Sequence, residues 1–164
     1  MQSAVPRASA RARVNHWLHA AMPHLGLELD DAGVCGIGHE CGLECTVEVP
    51  EPGEQVFLRI GLINLAGIDD AQLRRCMSEH LLGLHSGGAV YAIDPDEQQL
   101  VVWEAHPVAL LDAASFAQVL VDCFANAQRC QARLHEDAAT PRRRGGPAAS
   151  IPAPHLHHAQ AQRV

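Results

Sequence analysis

From Phe116 to Leu134 the chain places Phe116, Val119, Leu120, Cys123, Phe124, Ala127, Cys130 and Leu134 at spacings of three and four. This is one apolar stripe along about five turns of helix. A stripe of that length must be covered by another apolar surface, and Asp112 stands where an N-cap would fix its start. The cover is written upstream in a different period. Cys41, Leu43, Cys45, Val47 and Val49 alternate with Gly42, Glu44, Thr46 and Glu48, so a strand over 42–49 has one dry face and one wet face. A long amphipathic helix on a half-buried sheet makes the chain α+β.

The other elements follow from similar signals. Val14, Trp17, Leu18, Ala21, Met22 and Leu25 predict a first helix that Pro23 ends near Met22. Asp30 to Gly33 reads as a turn, followed by strands at 34–38, 42–49 and 55–65. Asp69 with Gln72 forms a capping-box pattern for a second helix, whose stripe is Leu73, Cys76, Met77, His80, Leu81 and Leu84 and which ends near His85. Strands at 89–94 and 99–105 flank the turn at Pro95 to Glu97. The order is helix, three strands, helix, two strands, helix, with a mostly antiparallel twisted sheet.

Charge separates this core from its flanks. All 19 acidic residues lie between Glu28 and Asp137, whereas seven of the twelve arginines lie outside 14–137, and lysine is absent. The core therefore carries a net −14 and the flanks +7. Such a core repels nucleic acid and anionic membrane and favours basic partners. Residues 1–13 read as a disordered lead-in in preference to a transit peptide, and 138–164, rich in Pro, Gly and Ala with an Arg run, as a disordered tail. Between them, 14–137 is one domain. No apolar run is long enough for a membrane span, which predicts a cytoplasmic protein.

Cys35, His39, Cys41 and Cys45 raise the question of a metal. Positions 41 and 45 of a strand are roughly 13 Å apart, whereas thiolates on one zinc, bound at about 2.3 Å, sit within roughly 4 Å of each other. The cysteines read as core thiols, and Cys123 and Cys130 likewise. The alternative is a small metal- or redox-sensing regulator using Cys35 to Cys45, with Cys35 or Cys41 exposed at a glycine-rich turn. Catalytic patterns are missing: no GxGxxG, no P-loop lysine, no HExxH, and the histidines are dispersed. A small hydrolase has no motif to support it, and no cofactor or metal is expected.

The chain resembles type III secretion chaperones of the CesT/Tir type over roughly 14–134. The resemblance rests on Leu29-Asp30-Asp31-Ala32-Gly33-Val34-Cys35, on Leu81-Leu82-Gly83-Leu84, on Gly88 to Asp94 with Leu100 to Trp103, and on Leu110-Leu111-Asp112 with Phe116. His85 stands where members often have Asn, and the tail is not a regular feature of the family. The resemblance implies a non-catalytic bacterial cytoplasmic chaperone that keeps one or more secreted effectors soluble and export-competent. It implies a homodimer through the second helix and hairpin, for which Leu81, Leu84, Tyr91 and Ile93 are candidates. It also implies an extended effector segment bound to the chaperone, for which Trp17, Leu18, Leu43, Val47, Leu58 and Ile60 are candidates. For each residue core packing is the competing reading. The secretion ATPase is a further candidate partner.

Overall fold

The computed structural model describes residues 9–79 and 88–139. In chain order it contains α1 (Ala10–Ala21), β1 (Val34–Gly38), β2 (Glu44–Glu48), β3 (Gln55–Asn64), α2 (Asp70–Glu79), β4 (Val90–Asp94), β5 (Gln99–Pro107) and α3 (Ala113–Ala139). Short 3₁₀ turns at Leu65–Gly67 and Val108–Leu110 follow β3 and β5. The five strands form one sheet in the order β1-β2-β3-β5-β4, with every neighbouring pair antiparallel. The class and element order are those the two periodicities predict.

Alternation decides which side is dry. Cys45, Val47, Val56, Leu58, Ile60, Leu100 and Val102 are essentially inaccessible, and together with Phe116, Cys123, Ala127 and Cys130 of α3 they form a single core. The α1 helix packs on α3 through Trp17 and Phe116, whose ring centroids lie 5.5 Å apart. The opposite face of the sheet carries Glu44, Thr46, Glu48, Phe57, Arg59 and Trp103, all partly or fully exposed.

The helix starts are fixed by local hydrogen bonds. The backbone N–H of Asp69 donates to Gln72 Oε1 at 3.0 Å while Gln72 N–H donates to Asp69 Oδ1 at 3.0 Å, the reciprocal pair that the sequence pattern predicts. Asp112 and Ser115 exchange the same two bonds at 2.8 Å each before α3. The Ser115 hydroxyl, which donates to Asp112 Oδ1 at 2.6 Å, and the Ser115 N–H hold the Asp112 carboxyl below its ordinary range, because the ionised form accepts both.

Several boundaries move. The first helix starts at Ala10, not Val14, because Ser9 Oγ accepts from Ala12 N–H. Arg11 then reaches the carbonyls of Asp31, Ala32 and Val49, while Arg13 lies 5.1 Å from the centre of the Trp17 ring and donates to Leu111 O. Within the expected lead-in, residues 9–13 are thus part of the domain. Leu25, placed on the first-helix stripe, is 60% exposed because the helix has already ended, and Met77 of the second stripe is also exposed. The α3 helix continues to Ala139, two residues past the expected domain end. His80, Leu81, Leu84, His85 and the tail from 140 lie outside the described residues.

Candidate functional site

The free edge at β1 combines an open backbone with an apolar floor. Val49 N–H donates to Gly33 O at 2.8 Å and His39 N–H to Leu43 O at 2.9 Å, so odd-numbered residues of this strand turn their backbone groups toward β2. Even-numbered residues face outward. Val34 is satisfied locally, donating to Asp30 Oδ1 and accepting from Asp30 N–H, each at 2.9 Å. Gly36 and Gly38 point their N–H and C=O groups away from β2, on a strand with no paired neighbour on that side among the described residues, and Gly36 O also accepts from Cys35 Sγ at 3.8 Å. Neither has a side chain to hold another backbone off.

Beneath this edge lies a groove of about 330 Å³ between β1, the end of α1 and one flank of α3. Ile37, Met22, Leu120, Val121 and Phe124 line it, and His39 is its only ionisable lining residue among the described residues. His39 stacks on Phe124 at 4.7 Å, while its Nδ1 lies 2.9 Å from Cys41 Sγ and accepts from Cys41 N–H at 3.2 Å. Val121 stands 62% exposed at the rim. An extended chain laid along β1 would find ladder partners at Gly36 and Gly38 and an apolar surface for every second side chain.

The six residues offered for peptide contact are placed elsewhere. Trp17, Leu18, Leu43, Val47, Leu58 and Ile60 are at most 5% exposed and belong to the core under the sheet. They build the scaffold under the sheet. Of the dimer candidates, Tyr91 is buried on β4, where burial and contact with Cys130 push its phenol up, and Ile93 is 47% exposed on the same strand. Leu81 and Leu84 lie outside the described residues. The groove residues missed from sequence left one signal in the chain. Val121 is a large aliphatic residue off the α3 stripe, and no core position accounts for it.

Cys45 meets Cys123 in the core, and Cys41 stands apart from them at the surface. All six are free: Cys35, Cys45, Cys76, Cys123 and Cys130 are buried and Cys41 is exposed. The last corrects the expected core position of Cys41, because Gly42 at φ +82° makes a turn before β2 begins at Glu44. The Cys123 thiol is pushed up by its hydrogen bond with Cys45 and by burial, and Cys35 is pushed up chiefly by burial. Among the described residues no three His, Cys, Asp or Glu side chains are placed to hold one metal ion. The metal-sensing alternative therefore has no cluster to rest on there.

Solved structures share this fold. A chain of the ExsC-ExsE complex matches with a TM-score of 0.69 at 17% identity, covering 77% of this chain and 97% of that one. A chain of the HopA1-SchA chaperone-effector complex matches with a TM-score of 0.61 at 16% identity, covering 80% and 99%. A chain of the heterodimeric ExoU-SpcU complex from the type III secretion system of Pseudomonas aeruginosa gives 0.52 at 16%, covering 74% and 93%. No curated protein sequence matches. The sequence profile of the Tir chaperone protein (CesT) family matches residues 20–131, and the chain belongs to that family.

Proposed function

We propose that this protein is a non-catalytic chaperone of a bacterial cytoplasm that binds the extended N-terminal segment of one or more type III secreted effectors and keeps them soluble and export-competent. The observation that carries the reading is the groove of Ile37, Met22, Val121 and Phe124 beneath the free edge of β1. Family membership and the complexes in which similar folds are found support it. Strand addition needs only main-chain partners and alternate apolar contacts, so no catalytic group is involved. None of the described helices is long and apolar enough to cross a membrane.

The protein acts as a homodimer, assembled through the second helix and the neighbouring hairpin strand. Support comes from Ile93, exposed on the outer strand of the sheet, and from the behaviour the family implies. A dimer presents two β1 edges to one client. The secretion ATPase is a further candidate partner.

The test is co-expression with the N-terminal segment of a secreted effector encoded beside this chain. The expected result is a soluble complex containing two copies of the chaperone. Gly38→Pro should weaken it by removing an outward N–H at a position where a β-carbon meets open space. Binding that is indifferent to both Gly38→Pro and Val121→Asp would overturn the assignment of the groove.

A further inference from the structure

The wet face of the sheet holds a second concavity, on the opposite side from the groove. It is a cleft of about 480 Å³ at the end where β3 bulges against β5 between Gly61 and Ile63. Thr46, Gly61 and Val101 lie along it, and Glu44, Glu97 and Gln131 belong to its walls. Gly61 has no side chain, and the Gln99 carboxamide lies over the position a β-carbon would take. Among the described residues the cation lining it is Arg59, which is matched by Asp94, a carboxylate held in turn by the N–H groups of Asp96 and Glu97. Among the described residues neither Glu44 nor Glu97 is in an ion pair.

The geometry points to the chain's own arginine run, Arg142-Arg143-Arg144, as the occupant of this cleft. Length supports it. Gln131, on the cleft wall, donates to Leu62 O at 2.9 Å and so pins α3 beside the bulge. From there the helix runs eight residues to Ala139, about 12 Å. The three arginines follow within five residues, a reach of roughly 10–17 Å when extended, which is enough to turn back along the helix. Charge supports it as well. Beyond Ala139 the sequence has four arginines and no Asp or Glu, whereas 14–137 carries a net −14. Guanidinium groups pair readily with carboxylates and with the carboxamide oxygens of a polar cleft. Docking covers part of the exposed sheet face and neutralises two carboxylates in a strongly acidic domain, a role separate from the apolar groove at β1.

The experiment uses the full chain. Amide hydrogen exchange is followed in wild type, in R142Q/R143Q/R144Q, in E44Q/E97Q and in the combined variant. At low salt the triple variant should exchange several-fold faster at 42–46 and 97–101. E44Q/E97Q should give the same change, and the combination should add nothing. In 1 M salt, where the screening length is about 3 Å, the difference should vanish. Folding is not at stake, because Glu44 and Glu97 are exposed and the arginines follow the last helix. Unchanged exchange in the triple variant overturns the proposal. So does a change confined to the β1 groove, or protection that appears only when an oligoarginine peptide is added in trans.

Discussion

The two free edges of the sheet, β1 and β4, have the same backbone chemistry and different surroundings. At β1 the outward positions include two glycines, and the adjoining helices stand back far enough to leave an apolar groove. At β4, Tyr91 is turned into the core beside Cys130 while Ile93 is an exposed aliphatic. An unpaired edge is a standing invitation to another strand, and proteins usually blunt it. Here β1 is made accessible and given a floor, which suits a partner that arrives extended. The β4 edge offers the projecting Ile93 side chain, which suits a second folded copy.

The largest expected effect tests whether the shared floor is core. Leu58→Ala or Ile60→Ala, at fully buried positions on β3, should cost about 2–5 kcal/mol of unfolding free energy. Val121→Ala at the groove rim should stay within about 0.5 kcal/mol. Denaturant titration of the three variants decides this, and a Leu58→Ala protein as stable as wild type would mean that the sheet opens to expose those residues. Next in size is the separation of functions between edges. Val121→Asp should weaken effector-segment binding by about tenfold or more, since burying an unpaired charge costs more than 1.4 kcal/mol, and should leave the dimer intact. Ile93→Asp should shift the dimer toward monomer at micromolar concentration in sedimentation. Loss of both properties from either substitution would erase the distinction between the edges.

The asymmetry of the edges was only partly written in local sequence. Periodicity placed the five strands and α3, because each buried residue recurs at the interval its own backbone dictates. The caps at Asp69 and Asp112 were equally legible, since those bonds close within four residues. What periodicity marks is inward-facing residues, and it could not distinguish a residue buried under the sheet from one bordering a groove. Leu58 and Ile60 were therefore offered as contacts while Val121 and His39 were not. Cys41 shows the same limit at smaller scale: its parity matches Cys45, but Gly42 ends the alternation between them. The groove depends on how far α3 stands from β1, a distance between elements more than seventy residues apart in sequence.

Alkali should act on the interior behind the β1 edge. Cys35 lies on that strand and Cys123 on the helix opposite, both with thiols pushed above the ordinary value. A neutral group whose folded pKa is raised contributes stability that is complete below the unfolded value and lost as pH rises past it. For thiols the loss begins near pH 8.5. Unfolding free energy should therefore decline from about pH 8.5 upward, and Cys123→Ala, though less stable at neutral pH, should show a shallower decline. A flat profile in wild type would place these thiols in contact with water.

The smallest effect belongs to α3, the helix that lines the β1 groove and whose Gln131 also borders the opposite face. Asp112 is fully exposed and its carboxyl is held below the ordinary range by Ser115. The sign is opposite to that of the thiols: a lowered folded pKa gives stability present above the unfolded value, near pH 3.9, and lost as pH falls through the folded one. Asp112→Asn keeps a capping oxygen and should leave neutral stability almost unchanged. It should flatten the acid limb of the stability curve below about pH 4. Ser115→Ala should flatten it too, because it removes the hydroxyl that donates to the ionised carboxylate. If both variants keep the wild-type slope, the reciprocal cap is not what sets the start of α3, and the position of the groove relative to β1 must then be fixed by Trp17 and Phe116 alone.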